Sequence, residues 1–377
     1  MTSFPNMKQR IYILLALAAA VACSKTDVVY DDALTGEITV SPVSGTITKA
    51  AITGAVYPEE NHIALFAYHN PAQTPMNNVT DYSAFEANEY LKDAEFHYNE
   101  QTDKEGIIAW SGLESIYYWP ITGSLVFAGY SLPAPATAGD PSASIGTVTY
   151  DLTDDHLKIA GYNQSVDTEK TFDLLYFGRD GNSYNKRREG TAVPITFNHA
   201  LSWITIEVKG GTGSTMTGKE WAITEVKLLG VNTYADFEFQ GTKAEPKVSW
   251  TVKDSDDSDS DIDAADMSIY SDATGRKLTT NYVNVEEETI DGEAVAKNGV
   301  VVIPQIAKVL EVKISYDSPA GDNITETVEI DLAKYTNDGW EAGKRYTYQL
   351  TFDPQQILVF PSVSAWPNPG ETVIPNE

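Results

Sequence analysis

Cysteine occurs once in the 377 residues, at position 23. Internal disulfides, a dithiol redox pair and any multi-cysteine zinc site are thereby excluded. Basic residues are scarce as well: 26 Lys and Arg stand against 54 Asp and Glu, a formal charge of −28. A polyanion is held by clustered cations and repelled by a surface of its own sign, so nucleic acid is not a partner. No apolar run is long enough to span a bilayer; Ile11 to Ala22 is a dozen residues where about 20 are needed.

Catalytic patterns are missing too. The histidines, at 62, 69, 97, 156 and 199, form no metal-binding spacing, and no GxSxG elbow is present. Gly213, Gly218 and Lys219 fit the spacing of a phosphate loop, but Glu220 stands where a hydroxyl residue would hold magnesium, and the flanks read as strands. Asp254 to Asp263 places six carboxylates in ten residues, yet without the glycine and glutamate of a calcium loop; so dense a charge reads as a solvated loop. The chain is therefore not read as an enzyme, and neither cofactor nor metal is expected.

What is present begins at the N-terminus. Lys8 and Arg10 precede the apolar run, which ends in Ala20, Val21 and Ala22 directly before Cys23. This is the pattern of a cleaved lipoprotein signal, with residues 1–22 removed and the Cys23 thiol acylated. Cleavage takes away two basic and no acidic residues, moving the charge from −28 to −30. The mature protein is expected outside the cytoplasm, tethered to the outer membrane by lipid.

Beyond Cys23, short runs rich in Val, Ile, Thr, Tyr and Phe alternate with clusters of Gly, Pro, Asn and Asp, the punctuation of an all-β protein. Strands are expected at Ile63 to Tyr68, Leu125 to Tyr130, Thr147 to Leu152, Asp173 to Phe177, Thr224 to Leu229, Val300 to Pro304, Leu310 to Tyr316, Thr325 to Asp331 and Arg345 to Phe352. Their spacing suits two β-sandwiches in tandem, residues 50–209 and 210–377, divided near Lys209 to Gly218. Tyr82 to Tyr98 reads as a short surface helix, with Phe85, Tyr90 and Leu91 on one face. From Pro194 to Lys209 the apolar positions change phase, odd through Trp203 and even from Ile204, so a bulge, bend or change of partner is expected near Ser202 or Trp203. His199 shares a face with Phe197 and Leu201 and reads as a buried, hydrogen-bonded imidazole.

FNHALSWITIEVKG, from Phe197 to Gly210, resembles the signature of the fimbrillin family, the subunits of type V pili. YYWPITGSLVFAGYSLPAP (Tyr117 to Pro135), DLLYF (Asp173 to Phe177), GWEAGKRYTYQLTF (Gly339 to Phe352) and SVSAWPN (Ser362 to Asn368) resemble further family segments in the same order. The resemblance implies two β-sandwiches of transthyretin-like topology. It also implies a structural subunit of a cell-surface fimbria that supports adhesion. In that family a trypsin-like protease removes a leading strand from the lipoprotein precursor, and a neighbouring subunit fills the vacated groove with an extended segment. Here residues 23–49 would be the leading segment, with Glu37 to Val40 and Gly45 to Thr48 as strand; the cut would fall between Lys49 and Ala50, where the family more often has Arg.

The donor implied is Gln356, Ile357, Leu358, Val359 and Phe360, apolar on consecutive residues, which suits a strand buried on both faces. A central strand of the second sandwich's own sheet is the other reading of that segment. Neighbouring subunits, the membrane lipid and the processing protease are the partners implied. The alternative function is a non-polymerising surface lipoprotein that binds glycan or host protein through exposed Tyr and Trp.

Overall fold

The computed structural model describes residues 36–42, 45–47, 52–55, 57, 59–86, 88–98, 110–133, 145–168, 170–187, 191–211, 221–241, 246–253, 264–285, 287–290, 293–296, 299–317, 322–336, 339–353 and 356–366. Among them the regular secondary structure is almost wholly strand. Two strands, His62–Asn70 and Ser124–Leu132, are buried along nearly their whole length rather than on alternate residues. That explains their unbroken apolar sequences HIALFAYHN and SLVFAGYSL. They lie side by side in the middle of an eight-stranded sheet with a core against each face.

The order in that sheet is Val193–Ile195, Val40–Pro42, Trp110–Gly112, Glu89–Tyr98, His62–Asn70, Ser124–Leu132, Leu175–Phe177, Asn198–His199. Its two edge strands are joined by Thr196 and Phe197 alone, so the edges must lie close and the sheet must roll up. The interior of the roll holds Ile38, Val40, Ile63, Leu65, Phe96, Trp110, Phe127 and Phe197 in one buried cluster. Phe197 closes the seam, stacked on Tyr57 at 5.3 Å and edge-on to Phe177 at 5.4 Å.

The outer face is covered by a four-stranded sheet, Pro246–Val252, Tyr234–Gly241, His156–Asn163 and Thr147–Asp151. Leu157, Ile159, Phe237 and Phe239 from this sheet pack on Phe66, Val126 and Tyr176. Two strands that follow residues 209–218 in sequence thus share a sheet with two that precede them. A turn after Thr147–Asp151 is pinned by Asp155, held at φ +50° with its carboxylate accepting from Tyr150 Oη at 2.7 Å and the Arg179 backbone N at 3.0 Å. Gly241 makes room for it, since a Cβ there would stand 2.0 Å from Asp155 Oδ2. Gly241→Ala should therefore destabilise by about 1–3 kcal/mol in urea denaturation, the usual cost of overpacking.

The second sandwich pairs a five-stranded sheet with a four-stranded one. The first contains Val283–Asn284, Ser202–Gly210, Lys344–Asp353 and Gln356–Ala365 in that order, with Val300–Val302 also on Ser202–Gly210. The second runs Ala264–Lys277, Ala222–Asn232, Val309–Asp317, Asn323–Asp331. Ile206, Val208, Tyr348 and Leu350 meet Val226, Leu228, Leu310 and Val312 between them. Gly343, at φ +67°, supplies the turn that launches Lys344–Asp353, and Tyr346, Tyr348 and Leu350 bury alternate side chains from it.

The phase change near Ser202 is a change of sheet. Asn198–His199 pairs with Leu175–Phe177 in the roll, the chain breaks at Ala200 and Leu201, and Ser202–Gly210 then pairs with Lys344–Asp353 in the other sandwich. The helix expected over residues 82–98 is a correction: one turn forms at Ser83–Glu86, and Glu89–Tyr98 is a strand. Leu65 pairs with Ala94 and Ala67 with Leu91, so an extra residue bulges from the strand where Asp93 takes φ +49°. The bulge spaces buried Leu91, Ala94 and Phe96 three and then two apart, and the first interval imitates a helix.

Candidate functional site

Residues 36–42 thread the roll between Val193–Ile195 on one side and a broken line of 110–112 and 117–119 on the other. Val40, Ser41 and Pro42 run parallel to Val193, Pro194 and Ile195. Backbone bonds from Ile38 N to Tyr117 O (2.7 Å), Trp119 N to Gly36 O (2.6 Å) and Val193 N to Thr39 O (2.9 Å) hold the segment on both sides. The period of two turns Ile38 and Val40 inward, both fully buried among Tyr57, Trp110, Trp119 and Val193. Glu37, Thr39 and Ser41 face the other way, half-buried, and burial raises the Glu37 carboxyl above its ordinary value. Each of Ile38 and Val40 is worth about 1.5–3 kcal/mol of buried apolar surface. This short segment is thus a structural stave of the first sandwich.

The walls of this groove come from far along the chain. Tyr117 and Trp119 belong to the Tyr-Trp-Pro segment noted in the sequence, and it is their backbone that bonds residues 36–38. Trp110 and Val193 lie in short apolar stretches, IIAW and AVPI, that the sequence does not mark as walls of a groove. Gly45–Ile47 and Ile52–Ala55 follow the stave and pair with each other as an antiparallel hairpin, Gly45 opposite Ala55 and Ile47 opposite Ile52. Lys49 and Ala50 fall in the connection between them and lie outside the described residues, as does Cys23.

Gln356–Ala365 is the second element of interest. It pairs in full antiparallel register with Lys344–Asp353 and forms the edge of the second sandwich's sheet, which corrects the reading of it as a central strand. The expectation that Gln356 to Phe360 would be buried on both faces is corrected. Ile357 and Val359 are half-buried against the second core, whereas Leu358 is 39% exposed, Phe360 50% and Val363 54%. An edge strand has one neighbour only, and among the described residues its outward side chains meet no second layer.

The strand ends on an anchor. Trp366 is 3% exposed, its ring stacked on His199 with centroids 3.8 Å apart and 5.5 Å from Trp203. Its backbone N donates to Gly343 O at 2.8 Å. His199 is buried as expected, and its Nδ1 lies 2.9 Å from Asp173 Oδ2. A carboxylate only accepts, so Nδ1 carries the hydrogen. Asp173 stands 26 residues upstream and no local spacing betrays it.

Among the described residues no cluster of three metal-ligating groups occurs, and no helix is long and apolar enough to cross a membrane. A fimbrillin-like family model matches residues 48–366. A fimbrial protein from Bacteroides vulgatus ATCC 8482 shares the fold with a TM-score of 0.51 at 16% identity, over 88% of this chain and 99% of that one. The tip fimbrial protein Mfa3 from Porphyromonas gingivalis, with C-terminal truncation, aligns at 8% identity and a TM-score of 0.31, over 87% of this chain and 98% of that one. No curated protein matches. The match to the family model over most of its length shows that this chain belongs to the fimbrillin-like family.

Proposed function

We propose that this protein is an exported lipoprotein subunit of a surface fimbria, anchored through Cys23 and assembled when its leading strand is removed and replaced by a strand of the next subunit. The carrying observation is the stave at 36–42. It contributes two fully buried side chains to the first sandwich, yet it precedes the family-matched region, which starts at residue 48. It is also followed by a lysine, Lys49, in a short connection between two strands.

Cleavage after Lys49 breaks the covalent link that holds the stave at high local concentration. Once it leaves, Val193–Ile195 loses its partner on one side and the pockets of Ile38 and Val40 open. Each unmade backbone bond forfeits about 1 kcal/mol net, and uncovered apolar surface adds about 25 cal/mol per Å². A groove in that state accepts an extended segment with alternating apolar side chains. Gln356–Ala365 is the donor proposed, because it is an edge strand whose outward Leu358 and Phe360 are exposed.

The test is controlled digestion of the mature protein with a trypsin-like protease, read by N-terminal sequencing and by unboiled electrophoresis. A new N-terminus at Ala50 together with an SDS-resistant ladder is the expected result. Lys49→Ala should remove both. A protein that is cut after Lys49 and stays monomeric at high concentration would instead be a non-polymerising surface binder.

A further inference from the structure

The tail repeats the sequence of the stave. Ile-x-Val-x-Pro occurs twice in the 377 residues and nowhere else, as Ile38, Val40 and Pro42 and again as Ile357, Val359 and Pro361. Glu37 precedes the first copy and its neutral isostere Gln356 the second. In the stave all three shared positions are buried, Ile38 and Val40 completely, and Pro42 pairs with Ile195. In the tail Ile357 and Val359 are only half-buried and Pro361 is exposed.

The backbone agrees with the side chains. The stave has a strand on each side, Val193–Ile195 and Trp110–Gly112, whereas the tail in its own sheet has one neighbour. Pro42 offers no N–H, so Pro361 in its place removes no bond, and Ile357 brings the donor that Ile38 uses toward Tyr117 O. A shift of one residue would turn Ile357 and Val359 out of the pockets.

Where the two copies differ, the tail is the more apolar. Leu358 and Phe360 stand where the stave has half-buried Thr39 and Ser41. Gln356 brings no charge to a place where burial already raises the Glu37 carboxyl. The likeness ends there, because Gly36 is held at φ +64°, a conformation that would strain Gln355.

We infer that the partner filling this groove is a second copy of this chain, its tail seated in the stave's register with Ile357 in the Ile38 pocket, Val359 in the Val40 pocket and Pro361 beside Ile195. The inference rests on strand replacement and adds to it the partner and the register. A chain complementary to itself extends a fibre of one subunit type.

Disulfide trapping reads the register. Cys23 leaves with the segment cut away at Lys49, so the trimmed chain has no cysteine of its own. Ser41 lies opposite exposed Pro194 in the parallel pair, which places Phe360 of one subunit opposite Pro194 of the next. Pro194→Cys and Phe360→Cys chains, mixed, cut after Lys49 and oxidised, should give a 194–360 disulfide, identified by mass spectrometry of the linked peptides. The same mixture left uncut should give none. Leu358 stands two residues back, about 6.6 Å along the strand, which puts its Cα beyond the roughly 7 Å that a disulfide bridges, so Leu358→Cys should link to position 194 at least about tenfold less. Ile357→Asp should remove the ladder formed by the cut chain without changing the cut. Linkage through 358 in place of 360, linkage through neither, or a ladder undiminished by Ile357→Asp would overturn the register while leaving strand replacement standing. A cut chain that forms no ladder by itself overturns self-complementarity. Strand replacement is then judged from a synthetic peptide of residues 35–43, which rebinds the cut chain only if the groove has opened. A chain that is not cut after Lys49 overturns both.

Discussion

Ile38→Asp will lower the stability of the precursor by about 2.5–6 kcal/mol, read from urea denaturation of the mature, uncleaved chain. Two costs combine. The isoleucine side chain, fully buried among Val40, Tyr57, Trp110 and Trp119, forfeits about 1.5–3 kcal/mol of transfer free energy. A carboxyl in its place has no partner in an apolar cluster, and desolvating an unpaired polar group costs a further 1–3 kcal/mol or so even when it takes up a proton. Losses of this size arise from a short list of causes, of which an unpaired polar group in a core is one. Glu37→Gln is the control, since Glu37 points away from that core and should change the midpoint little. A midpoint for Ile38→Asp within experimental error of the wild type would show that 36–42 is not part of the cooperative fold, and the strand-replacement reading would lose its physical basis. The same variant bears on assembly, because a stave that cannot dock should leave the groove open without any protease.

The two middle strands of the roll are readable in the sequence because burial on both faces leaves an unbroken apolar run, as in SLVFAGYSL. Those with one exposed face are harder. Tyr234–Gly241 and Pro246–Val252 carry Asp236, Glu238 and Lys247 and raise no strand signal of their own, although they build the covering sheet. Glu89–Tyr98 reads as helix from Phe85, Tyr90 and Leu91, but Phe85 belongs to the single helical turn before the strand and Tyr90 is 38% exposed. The change of phase at Ser202 is legible as a break but not as a change of sheet, since period says only that a face has flipped and never which neighbour waits on the new side.

The groove around residues 36–42 is half legible. Resemblance places a leading strand near residue 40, but that 117–119 and 193–195 are its walls follows from topology, which no local pattern encodes.

Trp366→Ala should free the C-terminal strand while leaving most of both sandwiches intact. From Phe360 to Ala365 every side chain of that strand is exposed, and only Ile357 and Val359 are half-buried at its start. The strand is therefore held by its backbone ladder to Lys344–Asp353 and by one deep side chain at its far end. Removing a buried tryptophan costs about 3–5 kcal/mol in a core, less where the strand can lift away instead of leaving a cavity. Lifting is the cheaper response at a sheet edge, so the loss should appear locally. Amides of residues 356–365 should exchange at least about tenfold faster, while those of Ser202–Gly210 stay protected. His199 and Asp173 would then meet water, and their hydrogen bond, now competing with solvent, would contribute less. Trp366→Phe keeps a ring on His199 and should restore most of the protection. If the strand is the donor, Trp366→Ala cut after Lys49 should also form ladders faster than the wild type, because its tail no longer has to be pulled from the seam of the roll. Unchanged exchange over 356–365 would mean that the backbone ladder alone holds the strand.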